Sequence, residues 1–399
     1  MSVPAHLTEV PPPPPEEKLA VLLTGGGARA AYQVGLLKGI ARSFPRLRFQ
    51  IITGVSAGAI NATFLAAHRG TLAEKAEQLA QFWCELDSSH IYRWDWKTLL
   101  PFRSALASVF PKKRWTRKSA HGIVDTTPLR DLLCRIYGVP HHTVISGIAE
   151  NIHAGRLNAL ALMTLDYSTG QSVRWVQGRH HDAYEGPNRR VEPTMMTVEH
   201  VLASCALPFI FPAVRIGSSW HGDGGIRLAA PLSPAVHLGA TKIIAMSTGY
   251  QRTPAEANQP TIVGYPPAAQ LLGQLVNAIF LDVIDEDVER MQRMNEMIRK
   301  MEPVERNGLK PIDLLVLRPS TDLGRIAGEY EKFLPAKLKL LVRALGAKET
   351  ESPDFISLLM FEPEYTRRII EIGEHDIEAR LDEIRAFVGE ESELSLAQG

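Results

Sequence analysis

A chain of 399 residues, of which 45% are hydrophobic, can bury a large core as one domain or as several smaller ones. The 44 basic and 44 acidic residues balance to a formal net charge of zero, which excludes a whole-molecule electrostatic binder of nucleic acid. The three cysteines form no CxxC pair, so we expect neither a disulfide framework nor a zinc site.

The chain begins with a proline-rich leader at residues 1–17, where PPPPPEEK predicts a stiff polyproline II segment, disordered or lying on the surface, outside the fold. The first ten residues lack a basic segment and no apolar one follows. No run of 18 apolar residues occurs without a charge or a breaker. We therefore expect neither a secretory signal nor a membrane span, and predict a cytoplasmic protein. Peripheral contact with the inner face of a membrane is a separate expectation, which rests on residues 91–118 below.

Buried strands and amphipathic helices alternate from residue 18 onward. LAVLLTGGG and FQIITGVS read as strands, and a helical pattern follows each, which predicts a right-handed parallel βαβ unit. LNALALMTLDY, KIIAMSTGY and IDLLVLRPS predict further strands. The expected class is α/β, a three-layer α/β/α fold with a mainly parallel central sheet. Its catalytic domain spans 18–250, the sheet is completed by 312–320, and 251–399 form a mainly helical extension packed on it.

Within that extension, residues 267–301 have the apolar spacing of one long amphipathic helix. Packing against the core is the first interpretation of its apolar face, and a lid or a dimer seam is the second.

A serine lies between two glycines in ITGVSAGAINA, where the second strand meets its helix. Gly54-x-Ser56-x-Gly58 in that position fits a nucleophile elbow, the sharp turn that exposes a catalytic hydroxyl. Flanking glycines remove the side chains that would collide in such a turn. The amino terminus of the following helix also favours negative charge near the serine.

Three successive glycines open the first helix in TGGGARAAY. Gly25-x-Gly27-x-x-Ala30 matches a loose dinucleotide-binding fingerprint, which needs an acidic residue about 20 positions later to hold the ribose. Between Glu17 and Glu74 the chain contains no Asp or Glu. An arginine-dependent NADP variant stays formally open.

The second interpretation of the glycine loop is an oxyanion hole. Backbone amides of Gly26, Gly27 and Ala28 would face the carbonyl that Ser56 attacks, since no side chain hinders their approach. Arg29 would add positive charge for an oxyanion or a phosphate, or would lie solvated on the first helical turn.

A serine nucleophile needs a base. Thirteen histidines leave a Ser-His-Asp triad open, but only His221 lies in a setting that resembles a catalytic loop. In SSWHGDGGIRLAAPL, Asp223 follows a predicted strand and stands among glycines. A carboxylate on such a tight turn could accept the serine proton directly; taken alone, GDGG is an ordinary turn.

Together these motifs resemble the patatin-like phospholipase family, whose members carry a GGGxR loop, a GxSxG elbow and a later DG(G/A) turn in this order. Here the three motifs are Gly25 to Arg29, Gly54 to Gly58 and Asp223 to Gly225. The similarity covers roughly residues 18–250 and includes ASCALPFIFPAV and GIVDTTPLRDLL. One departure is Ala30, where the family usually has glycine; alanine fits helical geometry, so we expect the loop to be preserved.

The resemblance implies a Ser-Asp dyad that hydrolyses acyl esters through an acyl-serine intermediate. Ser56 would be the nucleophile and Asp223 the general base. The oxyanion hole would comprise Gly25, Gly26, Gly27, Ala28 and Arg29. The resemblance implies no metal and no organic cofactor, and the substrate would be a phospholipid or another acyl-ester lipid. A catalytically silent lipid-binding or interaction protein on the same fold, an acyltransferase and a nucleotide-binding enzyme remain alternatives.

Residues 91–118 are the segment that we expect to give a substrate access to the site. They hold three tryptophans and eight basic residues against one acidic residue. Interleaved aromatic and basic residues suit transient contact with a membrane surface. A helical cap packed on the core explains the same composition equally well. Nucleic acid is not expected as a partner. The basic excess of residues 18–121 favours an anionic surface, although solvated, balancing faces explain the charge equally well. A homodimer or an activating partner stays open.

Overall fold

The computed structural model describes residues 17–94, 124–179, 185–258, 268–336, 338–339 and 354–389. The strands are β1 (Leu19–Leu23), β2 (Ile51–Gly54), β3 (Arg93–Trp94), β4 (Val124–Asp125), β5 (Ala159–Asp166), β6 (Ser172–Gly178), β7 (Arg189–Pro193), β8 (Val214–Ile216), β9 (Ser219–Asp223), β10 (Lys242–Met246) and β11 (Asp313–Leu317). The main sheet has the order β11-β10-β1-β2-β5-β6-β7, with β9 paired to β5 and β8 to β9.

The helices are α1 (Ala31–Ser43), α2 (Ala57–Ala67), α3 (Leu72–Glu85), α4 (Ser88–Ile91), α5 (Thr127–Tyr137), α6 (Ser146–His153), α7 (Val198–Ser204), α8 (Ser233–His237), α9 (Pro254–Ala257), α10 (Ala268–Phe280), α11 (Val283–Lys300), α12 (Leu323–Glu329), α13 (Asp354–Leu359), α14 (Pro363–Ala379) and α15 (Leu381–Val388). Short 3₁₀ turns occupy Gly27–Ala30, Gly224–Arg227, Pro303–Arg306 and Glu331–Phe333.

The sheet is covered by helices on both faces, as the continuous apolar strands predict. Side chains that alternate along β1 separate into two clusters: Val21 and Leu23 pack with α1, α2 and the carboxyl-terminal helices, whereas Ala20 and Leu22 pack with α8 and α11. The pairings β11/β10, β10/β1, β1/β2, β2/β5 and β6/β7 are parallel. The predicted three-layer α/β/α class with a mainly parallel sheet is confirmed.

Two strands meet end to end along one edge of β5, and this places the site. β2 pairs with residues 159–162 of β5, while β9 runs antiparallel beside residues 164–166. Because β6 occupies the other edge of β5 over residues 159–165, β2 and β9 lie on the same edge of β5, one after the other. The last residue of β9, Asp223, therefore points toward the end of β2, where Ser56 follows.

The single long helix predicted at 267–301 is wrong: the segment forms α10 and α11, which meet at a turn over Leu281–Asp282. Both turn residues donate backbone hydrogen bonds to the Asn277 carbonyl. The break lets the two helices pack on different surfaces, since α10 contacts α13 and the turn after Asp223, whereas α11 places Ile284 and Val288 against the sheet.

The described residues contain no helix long and apolar enough to cross a bilayer. The proline-rich leader and most of the segment 91–118, with its predicted membrane contact, lie outside the described residues.

Candidate active site

Ser56 occupies a strained turn between β2 and α2. Its backbone has φ 54° and ψ −135°, a conformation that costs a non-glycine residue of order 1–3 kcal/mol. Both neighbouring glycines are required sterically, because a Cβ at Gly58 would lie 2.3 Å from the Leu23 carbonyl oxygen and one at Gly54 would lie 2.5 Å from Ala62. The structure thus contains the sharp turn that the motif predicts.

The end of α7 holds this turn in place. Ser204 Oγ accepts a hydrogen bond from the Ser56 amide at 3.0 Å and donates to the Met163 carbonyl at 2.7 Å. The Cys205 thiol donates to the Ser56 carbonyl at 3.0 Å. Because Asp223 N also donates to Ala206 O at 3.0 Å, one short segment fixes the backbones of both predicted catalytic residues.

The glycine loop packs directly on the serine. A Cβ at Gly25 would lie 2.9 Å from Ser56 Cβ, so only glycine allows this approach. Thr248 Oγ1 donates to the Gly25 carbonyl at 2.6 Å. The amides of Gly25, Gly26 and Gly27 donate to none of the described residues and remain available to a ligand. Unhindered donors beside a hydroxyl are what an oxyanion hole needs.

Asp223 is fully buried at the end of β9. Its Oδ1 accepts from the Gly225 amide at 2.9 Å, while Oδ2 has no full hydrogen bond to the described residues. Burial raises the pKa of this carboxyl to about 7, although the nearby Ser56 hydroxyl and the Gly225 amide favour its charged form. A carboxylate with an unoccupied oxygen and a pKa near neutrality suits a general base.

His221, the histidine candidate, is engaged elsewhere. Its Nδ1 lies 3.1 Å from Thr164 Oγ1, and its ring packs edge-on against Trp175. Burial lowers the pKa of His221, so the neutral imidazole is favoured. It does not line the cavity at Ser56, and the observed contacts give it a structural position.

Ser56 opens into a narrow apolar cavity of about 50 Å³. The walls come from distant parts of the chain and include Gly26, Gly27, Ser56, Ala57, Ile60, Ile91, Leu129, Cys205, Leu207, Phe211, Phe280, Leu358, Leu359 and Phe361. No charged side chain is among them, which suits an acyl chain better than a nucleotide phosphate. Phe280 of α10 also touches the Asp223 turn, since a Cβ at Gly225 would lie 2.5 Å from its ring.

Arg29 does not lie at its predicted place in the oxyanion hole. Its side chain is 2% exposed and pairs with Asp354 at 2.6 Å, and its Nε donates to Ser357 Oγ at 2.5 Å. Asn277 donates to the second Asp354 oxygen at 2.7 Å. Asp354 compensates the guanidinium charge, and Arg29 is not among the residues that line the Ser56 cavity. Arg29 therefore fastens the glycine loop to the carboxyl-terminal helices. Ala30, the departure from the family motif, has helical φ −63° and ψ −15°, as expected.

Removing one partner of this buried ion pair is expected to destabilise the protein strongly. Asp354→Ala leaves the Arg29 guanidinium buried and unpaired, which lowers the free energy of unfolding by about 3–5 kcal/mol. Arg29→Met combined with Asp354→Ala should recover part of the loss, because no charge is then stranded. Denaturant unfolding measures both. Asp382→Ala, at an exposed pair with Arg385, is the control and should change little. A loss below about 1 kcal/mol for Asp354→Ala would contradict this role.

Residues 21–236 match the family model for Patatin-like phospholipase, which is more than half of the chain. The chain belongs to this family, and that membership supports lipid hydrolase activity. No functionally curated protein is similar enough in sequence to match.

Among solved structures, VipD from Legionella pneumophila is similar at 12% identity and TM-score 0.36, over 95% of this chain and 71% of that one. Human GIVD cytosolic phospholipase A2 is similar at 10% identity and TM-score 0.41, and the match covers 92% of this chain and 59% of the human one. The chain thus spans less than two thirds of the length of the human protein. At these values neither similarity says what this chain does.

Several site residues carry no signal in the sequence. Ser204 and Cys205 lie within ASCALPFIFPAV, which resembles a family segment but does not reveal their hydrogen bonds to Ser56. Phe280, Leu358 and Phe361 belong to the extension beyond the family match, and only their packing identifies them.

Proposed function

We propose that this protein is a serine lipid acyl hydrolase of the phospholipase A or esterase type, acting through a Ser56–Asp223 dyad. The observation that carries the proposal is the convergence of three groups. A strained serine lines an apolar cavity together with Gly26 and Gly27 of the glycine loop, and its hydroxyl lies near the buried Asp223 carboxyl, whose pKa is about 7.

In the proposed reaction, Ser56 Oγ attacks the ester carbonyl carbon while its proton passes to Asp223 Oδ2. The amides of Gly25, Gly26 and Gly27 stabilise the oxyanion, and each donor contributes about 2.7–4 kcal/mol in the transition state. The tetrahedral intermediate collapses to an acyl-serine as the alcohol leaves with the proton from Asp223. Water, deprotonated by the same carboxylate, then releases the fatty acid and restores Ser56.

The apolar walls support a lipid acyl substrate, a phospholipid or another acyl-ester lipid taken from a membrane surface in transient contact. A cavity of about 50 Å³ cannot hold an acyl chain, so we propose that Phe280 moves aside when the substrate enters. Peripheral action at the inner face of a membrane is part of this proposal.

Labelling by a fluorophosphonate tests the proposal, because the reagent phosphonylates an activated serine much faster than an ordinary hydroxyl. We expect one adduct, on the peptide that contains Ser56, identified by mass spectrometry. Ser168→Ala, at an exposed serine, should label like the wild type, whereas Ser56→Ala should not label. An unlabelled wild type would favour a silent lipid-binding protein, and an adduct on another serine would contradict the assigned nucleophile.

A further inference from the structure

A second cavity, of about 700 Å³, lies at the opposite end of α2 from Ser56. We call it the basic basin. It is lined by Pro45, Arg46, Leu47, Arg48, Phe49, Ile52, Leu65, Ala66, Arg69, Gly70, Thr71, Leu72, Glu74, Lys75, Asn151, Arg156 and Leu157. Ser56 precedes the first residue of α2 and the basin adjoins its last turn, so 11 helical residues, roughly 16 Å, separate the two sites.

Positive charge dominates the basic basin. Five cationic side chains line it, and Glu74 is the only carboxylate among its lining residues. Glu74 is engaged by the amide and hydroxyl of Thr71, and Arg69 is paired with Glu150 at 2.6 Å.

Three of the other cations have no described carboxylate at ion-pair distance. Of the described carboxylates, none lies within 4 Å of Arg48, Lys75 or Arg156. Lys75 Nζ donates to the Leu65 carbonyl at 2.8 Å, and Arg156 Nε donates to Asn151 Oδ1 at 2.8 Å. Neutral partners satisfy these hydrogen bonds without forming an ion pair. Arg156 also interacts electrostatically with Glu150, a carboxylate that Arg69 already pairs.

The cations also repel one another. Burial, and after it the charges of Arg156 and Arg48, lower the pKa of Lys75 to about 8. An anion placed between these side chains would raise the pKa of Lys75 again. Its binding would be tightest below pH 8, where Lys75 is charged. Arg46, Arg69 and Glu74 line the same space, and hydrogen bonds from Thr71 lower the pKa of Glu74. Outside the lining, the hydrogen bond from Arg69 lowers the pKa of Glu150.

We propose that the basic basin binds a phosphorylated anion, a phosphate monoester or a pyrophosphate group. Three cations that form no ion pair with the described carboxylates match a dianion or a higher charge, which a single carboxylate does not supply, and guanidinium groups bind phosphate oxygens in pairs. The cavity volume lies in the range of small-ligand sites, about 300–1,000 Å³. The group could belong to a soluble phosphate ester or to a phosphorylated lipid headgroup.

Calorimetric titration of the full chain with pyrophosphate tests the proposal at low salt and pH 7. We expect Arg48→Gln and Lys75→Gln each to weaken binding about tenfold, the loss of one charge-assisted contact. Arg215→Gln, at an exposed arginine on β8, is the matched control and should bind like the wild type. Affinity should fall as pH rises through 8 in the wild type and not in Lys75→Gln. Thermal unfolding checks that each variant is folded.

Cosedimentation with vesicles separates the two sources of phosphate. Phosphatidylcholine vesicles with and without phosphatidic acid are compared in a Ser56→Ala background, which prevents hydrolysis. Binding of pyrophosphate alone indicates a soluble ligand. Binding to phosphatidic acid that Arg48→Gln and Lys75→Gln weaken indicates a lipid headgroup. If neither probe binds, or if these variants bind like Arg215→Gln, the proposal is wrong. The pyrophosphate titration does not depend on Ser56 being the nucleophile, so its failure and the failure of the proposed function are distinguishable.

Discussion

Ser56→Ala is expected to lower kcat for a short-chain ester by about 10⁴-fold or more, the scale seen when a serine nucleophile is removed. Alanine keeps the size of the residue, so Gly25 and Gly58 can still pack at the turn. The hydrogen bonds from the Ser56 amide and to its carbonyl are backbone contacts and should persist. The loss would therefore be chemical.

Steady-state kinetics with wild type, Ser56→Ala and Ser168→Ala measure this loss. Ser168→Ala removes a hydroxyl from the surface and should leave kcat unchanged. The thermal unfolding midpoint of Ser56→Ala should stay close to that of the wild type. Retention of more than a tenth of the wild-type kcat would rule out Ser56 as the nucleophile.

Asp223→Asn is expected to lower kcat/KM by about 10²–10⁴-fold, the usual contribution of a positioned base. The amide has the same shape but cannot accept the serine proton. In the wild type, kcat/KM should rise with pH through about 7, because the carboxyl must lose its proton before it can act. The rise should be absent in Asp223→Asn.

The stability of Asp223→Asn separates a chemical loss from unfolding. A carboxyl whose folded pKa is raised stabilises the folded state while it is protonated, and this contribution is lost as pH rises toward about 7. The asparagine variant, which is neutral at every pH, should therefore be at least as stable as the wild type at pH 8. His221→Ala is the matched control two residues away. If it lost as much activity as Asp223→Asn, a histidine would be the base.

The sheet was predictable where strands are buried on both faces. β1, β2, β5, β10 and β11 appear as continuous apolar runs, because helices cover them on both sides. The strands β6 to β9 were harder to predict, since polar residues such as Arg174, Arg190 and His221 interrupt their apolar pattern. The antiparallel contact between β9 and β5, which aims Asp223 at Ser56, is not encoded in either strand alone.

The candidate site was predictable where the chemistry needs short motifs. The turn at Ser56 and the close approach of Gly25 depend on glycines that neighbouring residues make recognisable. Contacts over long separations were not predictable. Arg29 pairs with Asp354, 325 residues further on, and a basic residue on a first helical turn gives no sign that its partner is a buried carboxylate. Phe280 and Leu358 also reach the cavity wall through contacts over long sequence separations, so the sequence did not identify them.

Because Arg29 forms a salt bridge with Asp354, the functional unit of this chain extends beyond the family match. The family match stops at residue 236, yet the partner that anchors the glycine loop and several walls of the Ser56 cavity come from residues 280–361. A fragment cut at the boundary of the match would contain both Ser56 and Asp223 but would strand the Arg29 guanidinium and open the cavity to water. The glycine loop and its carboxyl-terminal cover are thus energetically coupled through one buried ion pair and one shared cavity wall.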